Sequence, residues 1–246
     1  MSTHATETYS PHMYSISPSY YELIYSLKDY KQESDQLVKR LRELRPNAKD
    51  ILDVACGTGL HAQHLTEQGY RVHGVDIQPE FIELATSRNP GSKFFIGDMV
   101  NLDVGSRYDV VLCLFSAIGY VRSVESLQCT FRGFARHLKP GGLAIVEPFL
   151  EPVDFIHGTV HMKCVANADA KICRMNCNEV VGTVARLRFE YLVGDSTGVK
   201  HFSEVQELGL FTRHQIEEAL QSAGFSSVVF DETGLPRGMY LSDLHA

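Results

Sequence analysis

Two rhythms of apolar and polar residues run along this chain: short apolar runs separated by helical stretches, and later a repeat of period two. Leu37, Leu41 and Leu44 recur at helical spacing opposite charged residues, predicting a helix over Asp29–Arg45 that Pro46 and Asn47 close. A first helix is expected near Pro18–Ser26. Short apolar runs at Ile51–Val54, Arg71–Val75, Phe94–Ile96, Tyr108–Leu114 and Leu143–Val146 read as strands. Between them, helices are expected over Gly59–Gln68, ended by Gly69, over Pro79–Arg88 with proline in its first turn, and near Val124–His137. The run Lys139-Pro140-Gly141-Gly142 reads as the turn that closes the last helix. Strand and helix in alternation predict an α/β fold, a doubly wound, mostly parallel sheet with its ligand crevice at the carboxyl ends of the strands.

The rhythm changes near Thr159. In VARLRFEYLV, Leu187, Phe189 and Tyr191 alternate with Arg186, Arg188 and Glu190, as half-buried antiparallel strands do, with the arginines toward solvent. That pattern lasts to Phe211. A helix over Thr212–Ala223 follows, capped by Thr212 and stopped by Gly224, and the strand candidates Ser227–Phe230 and Gly238–Leu241 come last. The expected organisation is a flexible leader over residues 1–16, a ligand-binding domain made of residues 17–158 and 212–246, and an antiparallel β insertion over residues 159–211. The insertion would cover the crevice or pair with another subunit.

Composition narrows the function classes. A content of 44% hydrophobic and 22% charged residues among 246 is ordinary for a soluble globular protein. A formal net charge of −7 argues against broad binding to nucleic acid or anionic membranes, while leaving room for a local basic pocket. No run approaches the roughly 18–20 apolar residues of a membrane span, and the N-terminus lacks the layout of a secretory signal, so the cytoplasm is the expected compartment. The six cysteines include no CxxC pair and read as small buried thiols of a reducing compartment. His61 and His64, and the loose group His157, His161 and Cys164, offer no ligand set typical of zinc, so no metal is expected.

The chemistry is concentrated in DVACGTG, residues 53–59. It supplies GxG but places Ala62 where the third glycine of a dinucleotide turn would stand. Asp53 decides more. A carboxylate at the end of the first strand would repel a pyrophosphate and attract an ammonium group. Gly57 and Gly59 permit close backbone approach. Asp76, at the end of the second strand, can accept hydrogen bonds from both hydroxyls of a ribose. Asp98 can accept from an exocyclic adenine amine, Met99 can pack on the ring, and Leu114 to Ser116 border the same crevice. An amino acid, a ribose and an adenine together describe S-adenosylmethionine.

LDVACGTG, VDIQPEFIELA, GDM and HLKPGG resemble the successive motifs of class I S-adenosylmethionine-dependent methyltransferases, over roughly residues 45–150. A narrower resemblance spans nearly the whole chain. YYELIYSLKDY, VLCLFSAIGYV, VEPF, RLRFEYLV, LFTRHQIEEALQSAGF and GLPRGMYL run in the order found in N,N-dimethyltransferases of nucleotide-linked amino sugars. That resemblance implies cofactor contacts from Tyr21, Tyr30, Ala55 and Ile77 as well as from Asp53, Gly57, Gly59, Asp76, Asp98, Met99 and Leu114. It implies that Tyr14 and Tyr120 lie at the reacting amine, Tyr120 standing where some relatives carry histidine. Glu147 and Arg237 would meet the acceptor, Arg237 at its phosphates. It also implies a homodimer built on the β insertion.

The expected reaction is direct in-line methyl transfer to a neutral amine, helped mainly by positioning, worth roughly 7–11 kcal/mol, and by aromatic faces near the cationic centres. No indispensable general base is expected. The rival readings are a methyltransferase of the same fold acting on an alkaloid amine, a peptide amine or a hydroxyl, a nicotinamide-dependent oxidoreductase, and a cofactor-binding protein without activity. Nucleic-acid methylation is disfavoured by the acidic balance and by the absence of a base-methylating motif after the fourth strand.

Overall fold

The structure is a computed structural model that describes residues 18–245. Tyr14 and the expected leader lie outside the described residues. In chain order the elements are α1 (Pro18–Ile24), α2 (Tyr30–Leu44), β1 (Asp50–Val54), α3 (Leu60–Glu67), β2 (Arg71–Asp76), α4 (Pro79–Arg88) and β3 (Lys93–Ile96). Next come β4 (Tyr108–Cys113), α5 (Val124–His137) and β5 (Leu138–Val146). After them lie β6 (Val160–Ala166), β7 (Lys171–Val181), β8 (Val184–Asp195), β9 (Gly198–Gly209), α6 (Arg213–Ser222), β10 (Phe225–Asp231) and β11 (Met239–Leu244). They form two compact units, residues 28–155 with 208–245 and residues 18–27 with 156–207.

The larger unit holds a seven-stranded sheet in the order β10-β11-β5-β4-β1-β2-β3. β1 to β5 pair in parallel, and β11 runs antiparallel to both β5 and β10. The order reverses between β1 and β4, the switch point beyond whose carboxyl ends open α/β sheets bind their ligands. Alternate residues of the central strands feed two cores. Leu52, Val111 and Ala144 meet Phe131 and Phe134 of α5 and Leu220 of α6 on one face. Ile51, Val110 and Ile145 meet Leu37 and Leu41 of α2 and Leu65 of α3 on the other. Burial on both faces is why these strands read as unbroken apolar runs. The helices start where the sequence stops them from starting earlier. Asp29 caps α2 by accepting from the Gln32 amide at 2.8 Å, Pro79 opens α4, and Thr212 and Gln215 form a reciprocal capping box on α6.

One expectation is corrected here. Residues 139–142 do not form a turn that precedes β5; they lie inside it. Leu138 already pairs with Tyr108, and Leu143 pairs with Val110, so the intervening residues make a bulge in a continuing strand. Gly141 takes φ +70° within it. Lys139 is held there by Asp50 at 2.7 Å and Asp109 at 2.8 Å. Pairing on both sides of the bulge outweighs the local turn preference.

The smaller unit is a four-stranded antiparallel sheet, β6-β7-β8-β9, with α1 beside β6. Ala185, Phe189, Tyr191 and Val193 are buried while Glu190 and Leu192 are exposed, as the period-two pattern requires. Arg186 and Arg188 are half-buried rather than free in solvent, and bind Glu207 (2.8 Å) and Glu179 (3.8 Å). The cysteine expectation is also corrected. Cys164 and Cys173 form a disulfide, because the β6–β7 register sets them directly opposite each other. Cys56 and Cys113 are buried thiols, and Cys177 is exposed. Among the described residues no helix is long and apolar enough to cross a membrane.

Candidate active site

β1 delivers Asp53 to the carboxyl edge of the sheet at the point where the strand order reverses. Its side chain is 2% exposed, and Oδ2 is sealed from solvent with no hydrogen-bond partner among the described residues. Burial, and then the nearby charge of Asp76, push this carboxyl up to about 7. A buried acid without a donor is costly to keep. Its position calls for a cationic partner.

The glycine turn follows. Ala55, Gly57 and Gly59 all have positive φ, at +59°, +55° and +75°. Ala55 is the only one of them that carries a Cβ, and backbone strain of this kind collects at ligand clamps. A Cβ on Gly57 would meet nothing within 4 Å, so open space faces the backbone there. At Gly59 it would lie 2.9 Å from Ala85 Cβ and 2.8 Å from Asn89 Nδ2, so this glycine lets α3 begin against α4. Cys56, between Ala55 and Gly57, donates its amide to the Val75 carbonyl at 3.0 Å, which ties the turn to β2.

Asp76 sits across that tie. It accepts from the Gly57 amide at 2.8 Å and from the Gln78 amide at 2.9 Å. Burial raises its carboxyl, against the pull of the Gln78, Gly57 and Ile77 amides. Ile77 is exposed beside it. Ile96 pairs with Asp76, so Asp98 emerges from the neighbouring strand end. Asp98 is exposed and caps the short helical turn Met99–Asn101 by accepting from the Val100 amide at 2.9 Å. Met99 is half-buried against the core.

The end of β4 bends sharply. Leu114 is buried, and Phe115 and Ser116 follow in the left-handed region at φ +53° and +59°. The bend aims the Phe115 amide at Glu147 Oε2, 2.6 Å away, while Ser116 donates to the Pro148 carbonyl at 2.7 Å. Glu147 is fully buried, and its other oxygen, Oε1, has no partner among the described residues. Burial raises it, opposed by the Phe115 amide and by the charges of Lys28 and Arg237. Arg237 is exposed, with its guanidinium 5.8 Å from the Phe149 ring centre. Tyr120 is half-buried in the turn Ala117–Val121, packed against the core.

Tyr30 lies edge-on to His61 at 4.9 Å, beside the first turn of α3. His61 Nε2 is 2.8 Å from Glu33 Oε2, and the other oxygen of Glu33 binds the Lys28 ammonium. That ammonium stands 4.3 Å from the Phe115 ring centre. Sequence reading missed this buried line of Lys28, Glu33 and His61, because only the packing of α2 on α3 brings the three together. Tyr21, on α1 in the smaller unit, is buried with its ring 4.8 Å from that of Tyr25.

The donor set suits an adenosine bearing an amino acid. A buried acid with an unpartnered oxygen, an acid fixed by backbone amides and an open glycine turn are chemistry that suits an ammonium group and ribose hydroxyls.

Comparison with known proteins agrees with that chemistry. Residues 51–142 match a family described as a methyltransferase domain. The chain is 33% identical over 223 residues to the dTDP-4-amino-2,3,4,6-tetradeoxy-D-glucose N,N-dimethyltransferase of Saccharopolyspora spinosa, covering 90% of each protein. It superimposes on a sugar N-methyltransferase from a Streptoalloteichus species with a TM-score of 0.89 at 31% identity, over 100% of this chain and 99% of the other. An amino pentose methyltransferase of Micromonospora echinaspora, solved with S-adenosylmethionine bound, gives 0.83 at 32% identity, over 96% and 99%.

Proposed function

This chain belongs to the S-adenosylmethionine-dependent methyltransferases, in the family of amino-sugar N,N-dimethyltransferases, and we propose that it N-methylates a nucleotide-linked amino sugar. The observation that carries the acceptor class is the extent of the match: it runs across both units, including the β insertion, and not only the methyltransferase domain of residues 51–142. When bound, S-adenosylmethionine supplies an electrophilic methyl group. Asp53 is the residue to hold its ammonium group, Asp76 the ribose hydroxyls, and Asp98 with Met99 the adenine. Ala55, Gly57 and Gly59 offer the close backbone, and Ile77 and Leu114 the apolar walls. Tyr30 borders the turn through His61, whereas Tyr14 and Tyr21 keep cofactor and acceptor roles on resemblance alone.

On the acceptor side, Glu147 holds one oxygen ready for an amine or hydroxyl donor, and Tyr120 orients the amine. Arg237 receives the phosphates, for which its exposed fork is suited. A homodimer is part of the same reading, supported by the exposed apolar side chains Val160, Met162, Met175 and Leu192 on the small sheet. So is a cytoplasmic setting, where activated sugars and the methyl donor are both made.

Mass analysis after incubation with S-adenosylmethionine and an acceptor panel tests the reading. One or two added methyl groups on nucleotide-linked 3- or 4-amino sugars are expected, with Arg237→Gln raising KM about tenfold, the value of one charge-assisted contact, at nearly unchanged kcat. Methylation confined to amines without a diphosphate would remove the acceptor assignment and leave the cofactor assignment in place.

A further inference from the structure

One face of the small sheet carries two cations where a fold should avoid them. Lys163 on β6 and Arg174 on β7 are directly opposite in the antiparallel register, and Arg174 is opposite Tyr191 on β8. Like charges placed opposite each other on neighbouring strands destabilise a sheet. Burial and the charge of Arg174 act most strongly on Lys163, while on Arg174 the leading influences are burial and, opposing it, the hydroxyls of Tyr25 and Tyr191. The buried acid on β9, Glu204, is engaged by the Tyr191 hydroxyl at 3.2 Å and by the Gln206 amide. Arg174 donates from Nη1 to the Tyr25 hydroxyl at 3.1 Å, and its Nε is buried with no partner. The Lys163 ammonium lies 5.4 Å and the Arg174 guanidinium 5.5 Å from the Tyr25 ring centre, and that guanidinium is 4.9 Å from the Phe189 ring. Aromatic faces soften the cost of these charges without neutralising them.

We propose that Lys163 and Arg174 form a phosphate-binding site in the insertion unit. Two adjacent positive charges match the nearly double charge of a phosphoryl group better than the single charge of a carboxylate. An arginine edge beside an ammonium is a common way to hold such a group. Lys163 is half-exposed, which leaves the anion a way in. Burial and the charge of Arg174 already push the Lys163 ammonium below the usual lysine range, a cost that an anion would reverse. The assignment goes beyond the acceptor reading, which uses Arg237, and does not depend on it. The phosphoryl group has two sources to distinguish, the diphosphate of a nucleotide-linked sugar and free inorganic phosphate.

The test is calorimetric titration of the full-length protein with pyrophosphate and with thymidine 5′-diphosphate, repeated on Lys163→Gln and Arg174→Gln. Affinity is expected to fall at least about tenfold, the scale of one lost charge-assisted contact, while S-adenosylmethionine binds as before. Weaker binding of both probes assigns the site to phosphoryl groups from any source. Weaker binding of thymidine diphosphate alone assigns it to the nucleotide. Without anion, Lys163→Gln is expected to raise the Tm, a gain that a merely structural lysine would not give. Should Arg174→Gln fail to fold, Lys163→Gln carries the test alone. Wild-type affinity for both probes in Lys163→Gln, or no binding of either probe to the wild type, would overturn the site. If no nucleotide-linked sugar is methylated while these anion affinities still respond to the variants, the acceptor reading fails and this site stands.

Discussion

The strand β1 carries two aspartates three residues apart, and they live in opposite conditions. Asp50, at the amino edge of the sheet, binds Lys139 at 2.7 Å and Arg71 at 2.6 Å; burial raises its carboxyl, but these bonds outweigh it and hold it below the usual range. Asp53, at the carboxyl edge, pairs with no cation among the described residues, and its pKa is pushed up to about 7 by burial and by Asp76. Asp109 repeats the first condition, bound to Lys139 at 2.8 Å, and Glu147 approaches the second, raised by burial despite the charges of Lys28 and Arg237. One edge has satisfied its acids from within the fold. The other holds three raised acids, Asp53, Asp76 and Glu147, and two of them keep a buried oxygen with no partner among the described residues. The difference supports, without reference to any relative, placing the ligand at the carboxyl edge, since folds tolerate such a cost where binding repays it.

The largest effects should come from Asp53. Its folded pKa lies above the unfolded value near 3.9, so its contribution to stability is full at low pH and lost as pH rises through about 7. The unliganded protein should therefore lose up to about 4 kcal/mol between roughly pH 4 and 7 from this group. Asp53→Asn should flatten that loss and melt above the wild type at pH 8. The same variant should bind S-adenosylmethionine about 10- to 100-fold more weakly, the scale of a lost charge-assisted hydrogen bond. In the wild type, affinity should fall by at most about tenfold per pH unit below 7, as binding must then release the Asp53 proton. Thermal melts and cofactor titrations across pH check both limbs, and an Asn variant with wild-type affinity at pH 8 would mean that Asp53 does not face the cofactor's charge.

The two glycines of the turn come next, and they should fail differently. Gly59→Ala adds a Cβ at φ +75° against Ala85 and Asn89, so a stability loss of about 2–4 kcal/mol is expected. Gly57→Ala meets nothing in the fold at φ +55° and should cost only about 1–2 kcal/mol. Its methyl group would occupy the open side of the cradle, so its main effect should be on cofactor affinity. Comparing Tm with cofactor Kd for the two variants separates packing from binding; equal loss of affinity at equal stability would erase the distinction.

Much of the carboxyl edge was legible in the residues because strand ends and glycine turns are local. Asp53, Gly57 and Asp76 fall at the ends of β1 and β2 and beside them, as their spacing implied, and the Gly57 amide meets Asp76. α4 and α5 keep the expected bounds because Pro79 and Ser123 mark their starts. Long-range pairing was not legible. Residues 139–142 carry every local sign of a turn, yet strand pairing before and after them makes a bulge. Cys164 and Cys173, Lys163 and Arg174, and the line Lys28, Glu33 and His61 all depend on register or on helix packing, neither of which local composition encodes. Asp98 reads as both a ligand acceptor and a turn cap, and in the fold it caps.

The smallest effect expected is at the amino edge, and it completes the comparison. Lys139→Ala removes the cation shared by Asp50 and Asp109, but Lys139 is 41% exposed, so solvent screens the pair and the loss should be about 0.5–1 kcal/mol. Both acids sit below their usual range, so the stability they lend is present above about pH 4 and lost as pH falls through their folded values. The deficit of the variant should accordingly shrink on acidification and in high salt, opposite in pH direction to the Asp53 contribution. Cofactor affinity should stay within about twofold, a small fraction of one hydrogen bond. A Lys139→Ala protein that binds S-adenosylmethionine as weakly as Asp53→Asn would show that the two edges are coupled through β1, and that the satisfied edge sets the charge of the ligand edge.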